Sequence, residues 1–197
     1  LRIYWRTKKN RQSIKKTLNF LRTKTEQNPD IKVFFFDEAR FGLQTSLTRI
    51  WAVSGKPLQV KVKQAYQNFY IYGAVNPKTG DNFSLFLPWV NTEMMNLYLE
   101  QMSSAYENDE IVIIMDQAGW HKSKDLIVPG NIDIIYLPPY SPELNPIERL
   151  WKYLKTNYIH NHVFDSLKHM MEKMVCAFEY LNDDVIASLC HCSYLDL

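Results

Sequence analysis

The chain has 197 residues, of which 46% are hydrophobic and 14% aromatic, and this is enough apolar material for the core of one domain. The formal net charge is +2, and no run reaches the roughly 18 apolar residues of a membrane span, so the composition argues against a membrane protein. Three cysteines lie within residues 176–192, and this odd set does not fit a disulfide framework.

The first segment of the chain is basic. Between Leu1 and Thr25 there are nine Lys or Arg side chains and no acidic one. Lysine and arginine displace the counterions condensed on a nucleic-acid backbone, so this segment is a candidate for phosphate contacts. A solvated basic arm is the alternative. We assign residues 1–30 to a basic linker or arm and residues 31–197 to one folded domain.

Four segments between residues 31 and 90 have the composition of β-strands. IKVFFFDEARF at 31–41 is an apolar run rich in Val and Phe that ends in acidic residues. Three further runs follow, RIWAV, NFYIYGAV and NFSLFLPWV, and the turn residues NPKTG separate the last two. Their short connections predict an antiparallel three-stranded meander.

Helices and strands alternate in the second half of the chain. Apolar residues at helical spacing predict a helix over 91–106 behind an Asn-Thr start. EIVIIMDQAGWH at 110–121 predicts a parallel strand reached by a crossover, and IDIIYLPPY a last strand stopped by prolines. A helix from Pro146 to about His160 and one long final helix over 164–181 complete the order. We expect an α/β fold, a mixed sheet flanked by helices.

Two acidic residues, Asp37 and Asp116, each end an apolar run of about five residues. A carboxylate at the end of a buried strand is costly to leave unpaired, so it needs a cation, a cluster of donors or a metal ion. Strand ends are also where ligands bind in open α/β sheets. Each aspartate could instead pair with an arginine such as Arg40 or Arg149.

The segment NPIERLW at 145–151 offers a third acid, Glu148. With Asn145 as N-cap and Pro146 as the first helical residue, Glu148 falls where a capping-box glutamate binds the amide of the cap. The prolines at 138, 139 and 142 make the approach stiff, which favours a side chain that must be placed accurately. Helix cap and metal ligand both stay open, and Glu143 in the preceding turn is a rival to Glu148.

Three oxygen donors without a cluster of His or Cys favour Mg²⁺ or Mn²⁺ over zinc. Two such ions about 4 Å apart can activate an attacking oxygen and stabilise the leaving oxygen of a phosphodiester. The sequence has neither a Gly-rich phosphate loop nor a G-x-S-x-G nucleophile motif. Phosphoryl transfer on nucleic acid is the chemistry that fits both these acids and the basic first segment.

FFFDEARFGL, IIMDQAGWHKS and LPPYSPELNPIERLWKYLK resemble the three catalytic blocks of the IS630/Tc1/mariner superfamily of DDE transposases. The resemblance covers approximately residues 31–160, and its most specific part is the Pro-rich block that leads to N-P-I-E. It implies that Asp37, Asp116 and Glu148 form the metal-binding catalytic triad. It also implies an RNase H-like fold, divalent-metal-dependent cleavage at transposon ends and transfer of the freed 3′-hydroxyl into target DNA.

Two features depart from the family pattern. The spacing between Asp116 and Glu148 is 31 residues, shorter than in the eukaryotic branch, which indicates the bacterial insertion-sequence side. The family's N-terminal helix-turn-helix region does not fit before residue 31. We therefore expect a catalytic domain in the bacterial cytoplasm, associated with the nucleoid when bound to DNA, and synapsis of two ends favours a homodimer. The alternatives are a non-catalytic DNA-binding or assembly remnant of a transposase and an RNase H-like nuclease outside transposition.

Several side chains near the triad are candidates for DNA contact. His121 follows Asp116 by five residues and could touch DNA or orient a water, or it could be an ordinary loop histidine. The helix of Glu148 presents basic groups that could meet phosphates, with solvated surface as the alternative. These are Arg149, Lys152 and Lys155. Glu38 would face the opposite way from Asp37 on a strand, so we do not expect it to be a metal ligand.

Overall fold

The structure is a computed structural model and describes residues 8–49, 51–55, 59–139 and 141–192, with only the backbone considered for residues 8–17. The sheet has five strands, β1 Lys32–Gly42, β2 Asn68–Val75, β3 Asn82–Leu87, β4 Ile111–Met115 and β5 Ile132–Tyr136. The helices are α1 Lys8–Gln27, α2 Thr92–Ala105, α3 Ile147–Leu154, α4 Leu167–Tyr180 and α5 Asp183–Cys190. None of the helices in these ranges combines the length and the apolar character needed to cross a bilayer.

The sheet is mixed, in the order β3-β2-β1-β4-β5. β1 pairs with β2, and β2 with β3, in antiparallel fashion, as the short β2–β3 turn requires. β4 pairs in parallel with β1 on one side and β5 on the other. The crossover from β3 to β4 runs through α2, so the predicted α/β fold with a mixed sheet is confirmed.

Helices cover both faces of the sheet, and β1 shows how the alternation of side chains divides the core. Phe34 and Phe36 point to one face, where they pack with the buried side of α2. Phe35 and Ala39 point to the other, where they pack with α3, α4 and α5. Asp37 shares the parity of the second set and therefore lies on the α3 face. Leu21 of α1 is 2% exposed and belongs to the same cluster.

The part of the predicted basic arm that the structure describes is helical, since α1 covers Lys8–Gln27. The first seven residues of that arm, and therefore the phosphate contacts expected of Arg2 and Arg6, lie outside the described residues. The division of the chain at residue 30 stays a prediction.

The structure differs from the predicted secondary structure at two places. Residues 51–53 of RIWAV are not in a strand, and the side chain of Trp51 is fully exposed at 103%. β2, the next strand in the chain, takes the place beside β1, and residues 51–53 lie in the loop that connects these two strands. The predicted final helix over 164–181 is confirmed as α4 Leu167–Tyr180. A further helix, α5, was not predicted, and it starts where Asn182 accepts a hydrogen bond from the amide of Val185 at 2.9 Å.

Candidate active site

The three predicted acids meet in one pocket. Asp37 lies on β1, Asp116 directly follows β4, and Glu148 lies in the first turn of α3. The pocket that all three line is completed by the Pro-rich segment before α3 and by residues 117 and 118 after β4. Glu143, the rival to Glu148, is exposed and is not among its lining residues.

Parallel pairing explains why the two aspartates are neighbours. β1 and β4 lie side by side, and Phe35 is level with Ile114 in their register. Asp37 and Asp116 each lie two residues further along, and both line the same pocket. Each aspartate was predicted because it ends an apolar run. The two runs are adjacent parallel strands, and this brings their ends together.

The Asp37 carboxyl is surrounded by other acids. Its Oδ2 accepts a hydrogen bond from the indole Nε1 of Trp151 at 3.1 Å. Burial and then repulsion from Glu148, Glu38 and Asp116 raise its pKa to about 8. Such a group lacks a compensating positive charge, and a cation between the carboxylates would lower that pKa again.

The Asp116 carboxyl is held by two donors. Its Oδ1 accepts from the backbone amide of Ala118 at 2.9 Å and from Nδ1 of His121 at 2.9 Å. The hydrogen bond to His121 lowers the pKa of Asp116, and the Ala118 amide acts in the same direction against burial. Asp116 is therefore ionised at neutral pH and fixed in orientation.

His121 does not face solvent, so the prediction of a DNA contact is wrong. Its side chain is 1% exposed, with Nδ1 on Asp116 and Nε2 2.9 Å from Oε1 of Glu38. Burial alone would lower its pKa, but the bonds to Asp116 and Glu38 outweigh burial and raise the pKa to about 9. The imidazole is thus a buried cation between two acids, a position that excludes a nucleic-acid strand.

Glu38 is the functional neighbour that the sequence did not reveal. It faces away from Asp37, as predicted, and its side chain is 7% exposed. Its Oε1 accepts from Nε1 of Trp120 and from Nε2 of His121, both at 2.9 Å. The available signal was the same alternation, because it places Glu38 on the buried α2 face, where a carboxylate needs a cationic partner.

The capping box predicted for Asn145 and Glu148 does not form. The amide of Asn145 donates to the carbonyl of Pro142 at 2.9 Å, so it has a partner other than Glu148. Asn145 is itself buried, and its Nδ2 donates to the carbonyl of Phe36 at 2.8 Å. The start of α3 is thereby bonded to β1 directly beside Asp37, and the Glu148 carboxylate lines the pocket.

The basic side chains of α3 and that of Lys155, which directly follows it, differ in what they contact. Arg149 donates from Nη2 to the carbonyls of Cys190 at 2.9 Å and His191 at 2.5 Å, at the end of α5. The guanidinium thus binds the end of α5, and DNA contact by the exposed Arg149 stays a prediction. Lys152 is exposed, and Nζ of Lys155 lies 5.4 Å from the ring centroid of Phe41. DNA contact by these two lysines stays a prediction.

Two alternatives can be compared with these contacts. Neither aspartate has an arginine within ion-pair distance among the described residues, so the predicted pairing with Arg40 or Arg149 is absent there. In the same part of the chain, no three carboxylate, imidazole or thiolate groups are gathered closely enough to enclose one ion. The triad is an open pocket of acids, with one carboxylate from each of β1, the end of β4 and α3.

Comparison with known proteins identifies the family of this chain. The family model described as DDE superfamily endonuclease matches residues 32–171. An uncharacterised protein, y4pE/y4sA of Sinorhizobium fredii (strain NBRC 101917 / NGR234), is 38% identical over 58% of this chain and 85% of its own length. The Insertion element IS630 uncharacterized 39 kDa protein of Shigella sonnei is 26% identical over 72% of this chain, which spans only 43% of that protein.

Solved structures of one protein share the fold. The catalytic domain of Mos1 mariner transposase superposes with a TM-score of 0.61 at 13% identity, covering 94% of this chain and 88% of that one. The mariner Mos1 paired end complex with Mg gives a TM-score of 0.67 at 15% identity, covering 94% of this chain and 59% of that one. The expected RNase H-like sheet flanked by helices is confirmed.

Proposed function

Because the chain belongs to the DDE superfamily endonuclease family, we propose that it is the catalytic domain of a bacterial transposase related to IS630 and mariner elements. In this proposal it cleaves DNA at transposon ends and transfers the freed 3′-hydroxyl to target DNA. The observation that carries the proposal is the pocket in which Asp37, Asp116 and Glu148 come together from three separate elements.

The chemistry of the pocket fits divalent cations. Its three acids are hard oxygen donors, which suit Mg²⁺ and Mn²⁺, and the raised pKa of Asp37 reports uncompensated negative charge. The related Mos1 protein was crystallised in a complex with Mg. We propose that Asp37, Asp116 and Glu148 hold two such ions. The ions would activate the attacking oxygen and stabilise the leaving oxygen of the phosphodiester.

The chain's own residues contribute orientation. His121 fixes Asp116 by a bond to Oδ1, and Asn145 bonds the start of α3 to the backbone of β1, so Glu148 is carried on an anchored helix. Anchoring of this kind favours catalysis because the ligands need not reorganise when the substrate binds. Lys152 lies on the same helix and Lys155 directly follows it, and these are the groups that we propose contact the phosphates of bound DNA.

The partners follow from the same chemistry. We propose DNA as substrate, both as transposon end and as target, and a homodimer as the form that holds two ends together. A location in the bacterial cytoplasm, with the DNA, belongs to the same proposal. The non-catalytic alternative would keep the fold without cutting, and the nuclease alternative would hydrolyse DNA without joining it.

The test compares Asp37→Asn, Asp116→Asn and Glu148→Gln with the wild type and with Glu143→Gln, whose side chain is exposed beside the pocket. Calorimetric titration with Mn²⁺ measures metal binding, and nicking of a supercoiled plasmid measures activity. We expect the wild type and Glu143→Gln to bind and nick, and each triad variant to lose nicking with metal affinity weakened at least tenfold. Equal metal binding by all five proteins would overturn the proposal.

The same assay distinguishes the alternatives. Metal binding without nicking of any DNA supports the non-catalytic remnant. Nicking that yields hydrolysed ends, with no product joined to a second DNA molecule, supports a nuclease outside transposition. Joined products that disappear in the triad variants support the transposase.

A further inference from the structure

We infer that Trp151 and Gly73 are positioning residues for Asp37: the indole N–H of Trp151 orients the carboxylate, and Gly73 makes room for the indole. This inference rests on the proposed function, because it assigns the pair to the same acidic pocket. One hydrogen bond, one close approach and one strand register around Asp37 support it.

The first observation is the hydrogen bond itself. Trp151 is 2% exposed, and its Nε1 donates to Oδ2 of Asp37 at 3.1 Å. A buried indole N–H needs an acceptor, and a backbone carbonyl would satisfy it equally well. Here the acceptor is a carboxylate of the triad, so the bond fixes the direction in which Asp37 presents its oxygens.

The second observation concerns the space above the sheet. A Cβ built on Gly73 would lie 2.5 Å from Cη2 and 2.9 Å from Cζ2 of Trp151, which is closer than real contacts allow. The ring of Trp151 therefore lies directly against the backbone of β2. A glycine weakens the interior of a strand, and in β2 it provides the space that the indole occupies.

The third observation is that the glycine is opposite the acid. Asp37 and Gly73 are partners in the antiparallel register of β1 and β2. The indole crosses from α3 over Gly73, and its N–H reaches the carboxylate on the neighbouring strand. A side chain at position 73 would push the ring away from the one position where it meets Asp37.

Helix α3 thus reaches β1 at two adjacent residues. Asn145 bonds to the carbonyl of Phe36, and Trp151 bonds to the side chain of Asp37. Glu148 lies between these two contacts on the same helix. The distance between two acids of the triad is therefore set by one rigid element, which is how an accurate site is built on a scaffold.

The experiment measures both the contact and its consequence. The Trp151 indole proton is followed by NMR in ¹⁵N-labelled, metal-free protein, and Mn²⁺ affinity is measured by titration. The variants are Trp151→Phe, Gly73→Ala and Asp37→Ala. Because a Trp-to-Phe change in a core can impair folding, a fourth protein carries benzothienylalanine at position 151, which keeps the ring shape and lacks the N–H.

Two control variants make similar substitutions away from the pocket, to show whether an effect on Mn²⁺ affinity depends on where the side chain is changed. Gly42→Ala also adds a methyl group to a strand glycine of the same sheet, where it would meet Asn68 at 3.3 Å and no part of the pocket. Trp89→Phe shortens an exposed tryptophan. We expect both controls to bind Mn²⁺ as the wild type does.

The expected result has two parts. The Trp151 indole resonance shifts in Asp37→Ala and in Gly73→Ala. Mn²⁺ affinity falls about tenfold in the benzothienylalanine protein and in Gly73→Ala, which is the usual effect of removing a group that orients a ligand. Wild-type affinity in the benzothienylalanine protein, together with lost affinity in Asp37→Ala, would overturn this inference and leave the proposed function standing. Wild-type affinity in Asp37→Ala would overturn both.

Discussion

His121 and Glu38 form a buried ion pair in which Nε2 of the imidazole lies 2.9 Å from Oε1 of the carboxylate. The imidazole is 1% exposed and the glutamate side chain 7%. Through Nδ1 the same ring binds Asp116, so one buried cation joins an acid on the α2 face of the sheet to an acid of the pocket. Asp116 is therefore held by His121, which is bonded to Glu38 on the α2 face, and by the backbone of the turn that follows β4.

Removing Glu38 should destabilise the fold strongly. Glu38→Ala leaves the His121 cation with Asp116 alone, and breaking a buried ion pair from one side costs about 3–5 kcal/mol of unfolding free energy. Urea unfolding at pH 7 measures this value. The double variant Glu38→Ala/His121→Phe should recover part of the loss, since it removes the uncompensated charge as well.

Glu100→Ala is the control for that experiment, because Glu100 is exposed on α2 and such substitutions change stability by about 0.5 kcal/mol or less. If Glu38→Ala were no more destabilising than Glu100→Ala, the ion pair would contribute nothing to the fold.

Asp37 should make the metal-free protein less stable as the pH rises. Its pKa in the folded state is about 8, above the ordinary 3.8, so between these values the folded chain keeps a proton that the unfolded chain has lost. Unfolding free energy therefore falls as the pH rises from about 4 to about 8. Asp37→Asn cannot titrate, so it should be more stable than the wild type at pH 8, with the difference shrinking towards pH 4.

Thermal unfolding of both proteins across this range, in the presence of a chelator, provides the measurement. The comparison also subtracts the contribution of His121, whose stabilising effect is lost in both proteins as the pH rises through about 9. The control is Asp125→Asn, which changes an exposed aspartate, so its stability should depend on pH as that of the wild type does. If the stability of Asp37→Asn fell with rising pH as steeply as that of the wild type, the raised pKa of Asp37 would be contradicted.

Gly80 should be far more sensitive to substitution than Gly55, although both have a positive φ, +82° and +79° respectively. A Cβ on Gly80 would lie 1.8 Å from the carbonyl oxygen of Asp183, whereas a Cβ on Gly55 meets nothing within 4 Å among the residues that the structure describes. Gly55→Ala should cost about 1–2 kcal/mol for its backbone conformation alone. Gly80→Ala should cost at least about 3 kcal/mol, because α5 must also move away from the β2–β3 turn. Equal losses in urea unfolding would mean that α5 does not pack against this turn.

The sequence predicts the site better than it predicts the surroundings of the site. Asp37 and Asp116 could be found because each ends an apolar run, and the same runs form adjacent parallel strands. Strand alternation also placed Glu38 on the face opposite Asp37. These are local patterns, and a local pattern is enough to find a residue that lies at the end of a buried element.

Contacts between residues distant in the chain were not predictable in the same way. His121 meets Glu38 across 83 positions, and Arg149 reaches the carbonyl of Cys190 across 41. Nothing in the neighbourhood of either residue distinguishes a cation that pairs inside the fold from one that faces solvent. RIWAV was misassigned for a related reason, because an apolar run becomes a strand only where it pairs with another strand, and that pairing is not visible in its local sequence.

Arg149 and Lys152, three residues apart on α3, should separate stability from DNA binding. Arg149→Ala removes the donor to the carbonyls of Cys190 and His191, so it should lower the unfolding free energy by about 1.5–3 kcal/mol, the usual effect of a hydrogen bond to a charged group. Lys152 is exposed, so Lys152→Ala should leave stability within about 0.5 kcal/mol.

For the affinity for DNA we expect the opposite: Lys152→Ala should have the larger effect and Arg149→Ala the smaller one. If Lys152 contacts a phosphate, Lys152→Ala reduces the slope of log affinity against log salt by about one unit, because one fewer counterion is released on binding. Arg149→Ala, compared at a temperature where it is fully folded, should keep the wild-type slope. Fluorescence anisotropy with a labelled duplex at several salt concentrations measures both slopes. A reduced slope in Arg149→Ala and an unchanged one in Lys152→Ala would move the DNA-contacting face of α3 from the lysine to the arginine.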